Sequence, residues 1–240
     1  MPETRSREIT LLGEPVTYQV RRSEEAAEPR IDVDIHGVGI VLPEQSEIDP
    51  ETLLAENAAW VIERKHKYES YRDDIPERRF EAGAEFPYFG DSHEIVVEQR
   101  SSSIVDEGTF RLAQHHVEQT SVERALEALY RRKARETVEK RTENYAREMG
   151  VEYEGIELRN QRTRWGSCST SGTLSLNWRL MMAPSEIVDY VLVHELAHLQ
   201  ESSHDRAFWT LVAEYDPEYR AHAQWLNDHS TQLVFSRKDI

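Results

Sequence analysis

The segment from Asp189 to Trp209, DYVLVHELAHLQESSHDRAFW, constrains the fold more than any other part of the sequence. It places His194 and His198 four residues apart within an apolar run, with Glu195 directly after the first histidine. Residues i and i+4 lie one above the other on an α-helix, so both imidazoles would project from one face and could share a Zn²⁺ ion. Apolar residues available to bury the opposite side of the helix are Val188, Leu192, Leu196 and Leu199. The sequence therefore predicts a buried helix that carries a metal site.

Glu195 has the position of a general base. On a helix it is rotated about 100° from His194 and about 60° from His198, beside the line of the two imidazoles. A carboxylate in that place can accept a proton from a water molecule that the metal activates, without competing for the metal. The pattern therefore predicts hydrolytic chemistry with Glu195 as the general base.

The spacing leaves two alternatives for a third metal ligand. A catalytic zinc ion usually has three protein ligands. Two serines after the helix favour a turn that would bring His204 back, and its distance of six residues from His198 matches the third histidine of the metzincins. The metzincin pattern needs Gly where this chain has Glu201, so the turn must differ. Glu214, farther along, is the alternative, by analogy with zinc enzymes whose third ligand is a glutamate. The spacing favours His204.

The composition limits the partners and the compartment. Forty-five acidic residues against 29 basic residues give a formal net charge of −16, and such a surface repels phosphate, which argues against tight nucleic-acid binding. High acidity with very little lysine fits a cytosol of high salt concentration. A single cysteine, Cys168, excludes an intramolecular disulfide and a cysteine-rich zinc site. No segment resembles a secretory signal or approaches the roughly 18 apolar residues of a membrane helix. We therefore expect a cytoplasmic protein with no membrane partner.

Hydrophobic periodicity predicts an α+β chain in two parts. Residues 1–118 are expected to form a β-rich N-terminal part with one helix, and residues 119–240 a catalytic part that contains the metal helix. The other expected elements are a helix over residues 46–71, a helix over residues 121–150, a hairpin with its turn at residues 169–172, and one final helix over residues 205–228.

Several motifs follow one another around the metal helix. They are Thr163–Cys168 (TRWGSC), Leu176–Leu180 (LNWRL), Asp189–Val191 (DYV) and the pair Phe208–Trp209 after His204. Together they resemble the YgjP-like metal-dependent hydrolases, which are zincins related to the SprT-like proteases. The segments YQVRRS near the start and ALYRRKARE in the long helix also resemble this family, so the likeness spans most of the chain.

The resemblance implies a set of functional residues. His194, His198 and His204 would be the zinc ligands and Glu195 the general base, in a zincin-like catalytic half behind a β-rich N-terminal part. The chain departs from the family at Asp205, where Ser is expected after the third histidine. That change would affect the surroundings of the ligands and removes none of them.

The hairpin before the metal helix is a candidate for substrate contact. In zincins a strand beside the metal helix pairs with extended substrate backbone, so Arg164, Trp165 and Asn177 are candidate substrate-binding residues. Arg164 could stabilise an oxyanion, with a structural ion pair as the alternative. For Trp165 the alternative is a place in the core or the cleft wall.

Three functions are compatible with these features. The first is a zinc-dependent metallopeptidase or amide hydrolase that acts on a peptide or protein substrate. The second is a zinc-stabilised binding module with little turnover. The third is a protease that acts on DNA-bound proteins, which the SprT-like relatives suggest and the net acidity disfavours.

Overall fold

The computed structural model describes residues 6–23, 26, 28–34, 37–73, 75–161 and 164–236. The chain divides into two compact units, of which the first ends at Ile75 and the second begins at Pro76. The boundary expected between residues 118 and 119 falls inside the second unit. The reason is that Phe86 and Phe110, which precede it, lie in the same buried apolar cluster as Leu126, which follows it. Domain boundaries fall where few such contacts cross the chain.

The first unit consists of a mixed sheet and two helices. Its described strands are β1 (Ser6–Leu11), β2 (Glu14–Ser23), β3 (Arg30–Asp34) and β4 (Gly37–Pro43), in the order β1-β2-β4-β3. β2 and β4 run parallel and the other pairs antiparallel. The helices are α1 (Pro50–Glu56) and α2 (Ala58–Asp73). Apolar side chains from strands and helices share one core, which includes Val16, Tyr18, Ile40, Leu42, Leu54 and Val61.

The single helix expected over residues 46–71 is wrong, because the structure has two helices there. α1 begins after Asp49, whose carboxylate accepts a hydrogen bond from the Thr52 N–H at 3.1 Å. It ends at Asn57, which leaves helical geometry with φ −110° and ψ 17° and donates its N–H to the carbonyl of Leu54. Asparagine is a weak helix former, so the chain turns there before α2 begins.

The second unit combines two sheets with five helices in its described part. The strands are β5 (Glu85–Tyr88), β6 (Asp91–Glu98), β7 (Ile104–Asp106), β8 (Thr109–Ala113), β9 (Gly155–Arg159), β10 (Gly166–Cys168) and β11 (Thr173–Asn177). The first sheet has the order β5-β6-β8-β7, and the second has the order β10-β11-β9. The helices are α3 (Gln114–Gln119), α4 (Val122–Met149), α5 (Ser185–Ala197), α6 (Arg206–Tyr215) and α7 (Tyr219–His229). The α+β class is confirmed, and no helix among the described residues is long and apolar enough to cross a lipid bilayer.

The long helix and the hairpin of the second unit are confirmed. Ser121 caps α4 by accepting a hydrogen bond from the Arg124 N–H at 3.1 Å, and Gly150 ends it in the left-handed region at φ 66°. β10 and β11 pair antiparallel around the predicted turn. β9 joins β11 in parallel, which the sequence pattern does not predict.

The final helix expected over residues 205–228 is two helices, α6 and α7, so that prediction is wrong. The break occurs at Asp216, which precedes Pro217 and has the extended geometry φ −136°, ψ 86°. Proline disfavours helical geometry in the residue before it and cannot donate a helical hydrogen bond. α6 therefore ends at Tyr215, and α7 begins at Tyr219.

Candidate metal centre

Helix α5 is the platform of the site. A helix that is apolar around most of its circumference is buried, and α5 has this character. Its buried apolar residues are Ile187, Val188, Val191, Leu192, Val193, Leu196 and Ala197. Arg141 of α4 holds its first turns by donating hydrogen bonds to the Asp189 carboxylate at 2.9 Å and to the Ser185 carbonyl at 3.1 Å. These contacts fix α5 against α4 and define where side chains at its C-terminal end point.

Three histidines converge at the C-terminal end of α5. His194 lies in its last turn, and His198 is the residue that caps it. The chain then turns and brings His204 back, so that its Nε2 lies 3.0 Å from Nε2 of His194. One ring nitrogen from each of the three residues lies within 4.8 Å of the others. The structure thus brings together the residues that the sequence and its resemblance predict as ligands.

The three rings fit a divalent metal ion. With Zn–N bonds of about 2.0–2.1 Å, tetrahedrally placed nitrogens lie about 3.3 Å apart, close to the 3.0 Å between His194 and His204. Burial, with a further contribution from the two neighbouring imidazoles, lowers the pKa of His194 to about 4, so this ring is neutral and keeps a lone pair. Burial also lowers the pKa of His198. Its Nδ1 lies 3.2 Å from the Glu201 carbonyl oxygen, which places the proton on Nδ1 and leaves Nε2 for a metal.

His194 differs from most metal-ligating histidines in one respect. Its Nδ1 is buried and has no hydrogen-bond partner among the described residues, whereas a ligating histidine usually donates its other ring N–H. A buried polar group without a partner costs about 1–3 kcal/mol. Metal binding at Nε2 would offset that cost.

Aromatic side chains of α6 support the three rings. Phe208 is fully buried, and its ring centroid lies 4.9, 4.6 and 4.7 Å from those of His194, His198 and His204. The indole N–H of Trp209 donates to the carbonyl of His204 at 3.1 Å. Phe208 therefore restricts the orientation of all three imidazoles, and Trp209 holds the backbone of the third.

Asp205, the departure from the family pattern, caps helix α6. Its Oδ1 accepts hydrogen bonds from the N–H groups of Ala207 at 2.8 Å and Phe208 at 3.3 Å. Its Oδ2 accepts a hydrogen bond from the Ser203 hydroxyl at 2.8 Å. Serine and aspartate both serve well as N-caps. Asp205 thus organises the start of α6 and the turn that carries His204.

Glu214, the alternative third ligand, lies outside the cluster. It lines an open groove on α6 together with Arg206, Thr210 and Leu211. The group of potential metal ligands found in the described part of the chain contains the three histidines and not Glu214. The geometry therefore supports His204 over Glu214.

Glu195 is buried between α5 and β10, with 6 % of its surface exposed. Burial raises the pKa of Glu195 to about 7, against the opposing effects of the Arg164 charge and of the Cys168 backbone N–H. A divalent cation nearby would also oppose the rise. The carboxyl group is thus shielded from water and has a pKa in the range of proton transfer.

Asn177, a predicted substrate contact, is a support residue in the structure. It is 2 % exposed, and its amide donates to the carbonyls of Gln161 at 2.8 Å and Arg164 at 3.4 Å. Its Oδ1 accepts from the backbone N–H of Arg179 at 3.1 Å and from the guanidinium of the same residue at 3.2 Å. With its polar atoms engaged in this way, Asn177 holds the segment before β10 and is not placed to contact substrate.

The other two substrate candidates, Arg164 and Trp165, directly precede β10 in the chain. Arg164 is exposed and close enough to Glu195 to lower its pKa. Trp165 is half-buried, and the guanidinium of Arg179 lies 5.8 Å from its ring centroid. Thr163, the first residue of the TRWGSC motif, lies outside the described residues. Arg164 therefore remains a candidate contact, and Trp165 contributes to the wall beside it.

A comparison with protein-family models identifies the family of the chain. The family model described as "YgjP-like, metallopeptidase domain" matches residues 27–229. The chain belongs to the YgjP-like metallopeptidase family. This membership makes the protein a hydrolase with a catalytic metal, and the three histidines are close enough together to bind one.

Two solved structures are similar to part of this YgjP-like chain. One is the crystal structure of the metallopeptidase zymogen of Pyrococcus abyssi abylysin, with a TM-score of 0.36 and 24 % identity over 40 % of this chain and 99 % of that chain. The other is the crystal structure of the metallopeptidase zymogen of Methanocaldococcus jannaschii jannalysin, with a TM-score of 0.35 and 19 % identity over 38 % of this chain and 94 % of that chain. A search of curated proteins gives no match.

The sequence pattern does not predict the supporting roles of several residues in this YgjP-like site. Phe208 and Trp209 lie at the start of the helix that follows His204, and this proximity is a usable signal for a supporting role. Gly166 lies in a strand, where glycine often marks a close approach of another group. The hydrogen bonds of Asn177 and Arg179 to the carbonyls of Gln161 and Arg164 have no comparable signal, since they depend on tertiary contacts.

Proposed function

We propose that this YgjP-like protein is a zinc-dependent peptidase in which His194, His198 and His204 hold the metal and Glu195 is the general base. The observation that carries the proposal is the convergence of three imidazole nitrogens within 4.8 Å at the end of the helix that also carries the buried Glu195. Three histidine ligands favour zinc among the common divalent ions.

The roles of the chain's own residues follow from their environments. When bound, zinc supplies Lewis-acid chemistry that polarises the scissile carbonyl and activates a water molecule. Glu195 accepts the proton of the attacking water and later transfers it to the leaving amine. Its burial keeps the carboxylate poorly hydrated, and its side chain lies directly against Gly166 of β10.

Strand β10 is the proposed binding edge for the peptide substrate. β11 is its one hydrogen-bonded neighbour among the described strands. The backbone groups on the other edge of β10, apart from the Cys168 N–H beside Glu195, are the proposed partners of an extended chain. Arg164, exposed just before this edge, is the proposed contact for negative charge on the substrate or on the developing oxyanion.

The test is the substitution Glu195→Gln, with Glu186→Gln as the matched control. Glu186 lies on the first turn of the same helix and is exposed. We expect the Glu195 variant to keep its metal content and to lose about 10²–10⁴-fold in turnover of a quenched peptide library, while the Glu186 variant keeps both. Full turnover by the metal-loaded Glu195 variant would contradict the general-base role.

The same assay separates the alternatives. A metal-loaded wild-type protein that hydrolyses no peptide or protein would favour a zinc-stabilised binding module. Cleavage that requires added DNA would favour a protease of DNA-bound proteins. Turnover that disappears with a chelator and returns with Zn²⁺ supports the proposed function.

A further inference from the structure

Gly166, the first residue of β10, lies directly against the side chain of Glu195. A Cβ atom at this position would lie 2.5 Å from Oε1, 2.7 Å from Cγ and 2.8 Å from Cδ of Glu195. Carbon atoms in good contact are about 3.5–4.0 Å apart, so no side chain fits there. The backbone of Gly166 is not in the left-handed region. The requirement for glycine at this position therefore comes from the close approach of Glu195.

The backbone of the same strand also faces away from β11 next to Glu195. The carbonyl of Trp165 and the N–H of Ser169 bond to β11 at 2.8 and 2.9 Å. In an antiparallel pair, alternate residues direct their polar backbone groups to the partner strand and away from it. The polar backbone groups of Cys168 therefore point away from β11, and the Cys168 backbone N–H favours the ionised form of Glu195 and lowers its pKa. The close packing at Gly166 thus places the Glu195 side chain beside this edge of the strand.

We propose that Gly166 is a positioning residue for the peptidase reaction: the absence of a side chain lets the Glu195 side chain lie directly against β10. This inference rests on the proposed role of Glu195 as the general base. It adds a requirement on the strand side of the site that the His-Glu-x-x-His motif does not contain.

The strain caused by a larger residue would fall on Glu195. The clash involves Cγ and Cδ as well as the carboxylate oxygen, so rotation of the carboxylate alone does not relieve it. The side chain would have to adopt another rotamer and move away from β10. Because the clashing atoms belong to a side chain and not to backbone, the fold can accommodate the change while the general base moves.

The first experiment compares Gly166→Ala with Gly155→Ala. Gly155 is the first residue of β9 in the same sheet, and a Cβ there would meet nothing within 4 Å. We expect Gly166→Ala to lower kcat about a hundredfold, the effect of a 1 Å misplacement of a catalytic group. KM and zinc content should stay near the wild-type values. Gly155→Ala should match the wild type in all three. A folded, zinc-loaded Gly166→Ala protein with wild-type kcat would overturn the positioning role.

The second experiment measures thermal unfolding in two backgrounds. Glu195→Ala removes all three atoms that clash, so any decrease in Tm caused by Gly166→Ala should disappear in the Glu195→Ala background. If Gly166→Ala alone does not fold, the double variant should fold. An equal decrease in Tm in both backgrounds, or a double variant that also fails to fold, would show that Gly166 accommodates some other group.

The two proposals can fail separately. Retained turnover in Glu195→Gln would contradict the general-base role and with it the proposed function. Loss of turnover in Glu195→Gln together with wild-type kcat in Gly166→Ala would contradict only the positioning role. The Tm comparison tests the contact itself and needs no activity.

Discussion

The two compact units of the chain differ in what their cores bury. In the described part of the first unit all buried residues are hydrophobic. Tyr18 is among them, and its hydroxyl donates a hydrogen bond to Glu51 at 3.2 Å. The second unit also buries polar and charged residues, among them Asn177, Arg179 and Glu195. Burying such groups costs free energy unless each finds partners. The second unit bears this cost, and one of its buried polar residues is Glu195, on the helix that carries the metal ligands. The core of the first unit has no such residue in its described part.

Metal removal should give the largest contrast between the units. A ligand present at about a thousand times its Kd stabilises the folded state by about 4 kcal/mol, and all three proposed ligands belong to the second unit. We therefore expect a chelator to abolish peptidase activity and to reduce amide-exchange protection in α5 and α6. Protection in β2 and β4 should remain unchanged. Hydrogen exchange followed by mass spectrometry, with and without the chelator, measures both. Equal loss of protection in the two units would contradict the contrast.

The metal helix could be predicted from the sequence because the residues that define its site lie close together in the chain. Four-residue spacing on one helix sets the direction of His194 and His198, and a short turn suffices to bring His204 back. The contact between Gly166 and Glu195 could not be predicted in this way. It joins two elements whose approach is set by the packing of a sheet against a helix, and no spacing rule describes it.

The same distinction explains which parts of the fold were predictable. The α4 helix has caps at both ends, Ser121 and Gly150, and its bounds agree with the sequence pattern. The breaks at Asn57 and Asp216 interrupt apolar periodicity that continues on both sides, so the pattern favours single helices there. Pro217 is a local signal for the second break, whereas Asn57 is a weak one.

A substitution at Asn177 should show how much the buried polar groups of the second unit matter. Asn177→Ala removes the acceptor of two hydrogen bonds from Arg179, which stays buried. Hydrogen bonds to charged groups contribute about 1.5–3 kcal/mol, so we expect the second unit to lose about 3 kcal/mol of unfolding free energy. Hydrogen exchange in β10 and β11 measures the loss.

The matched control for this substitution is Asn57→Ala in the first unit. Asn57 is exposed, and its amide donates to the Leu53 carbonyl at 2.9 Å. Surface changes of this kind usually stay within about 0.5 kcal/mol. A loss at Asn57 as large as the loss at Asn177 would mean that the units do not differ in their dependence on polar side chains.

The indole of Trp209 should matter for the metal more than for the fold. Trp209→Phe keeps a ring next to His204 but removes the N–H that donates to the His204 carbonyl. Losing a group that orients a ligand typically weakens metal binding about 10–100-fold, and we expect a change near the lower end. Competition with a chromophoric chelator gives the apparent Kd. Trp225→Phe, on α7, is the control because that ring stacks on His229. Equal effects of the two substitutions would assign Trp209 a general packing role.

The smallest effect is expected for the hydroxyl of Tyr18, which links a strand and a helix of the first unit. Tyr18→Phe removes the hydrogen bond to Glu51 and keeps the aromatic ring in the core. A typical hydrogen bond contributes about 0.5–1.5 kcal/mol, and Glu51 is exposed and can bind water instead. We therefore expect a loss of about 0.5 kcal/mol in the first unit, with no change in peptidase activity, measured by amide exchange in β2 and by peptide turnover. A loss of several kcal/mol would show that the first unit also depends on a polar contact, and the contrast between the cores would then concern only where polar groups lie.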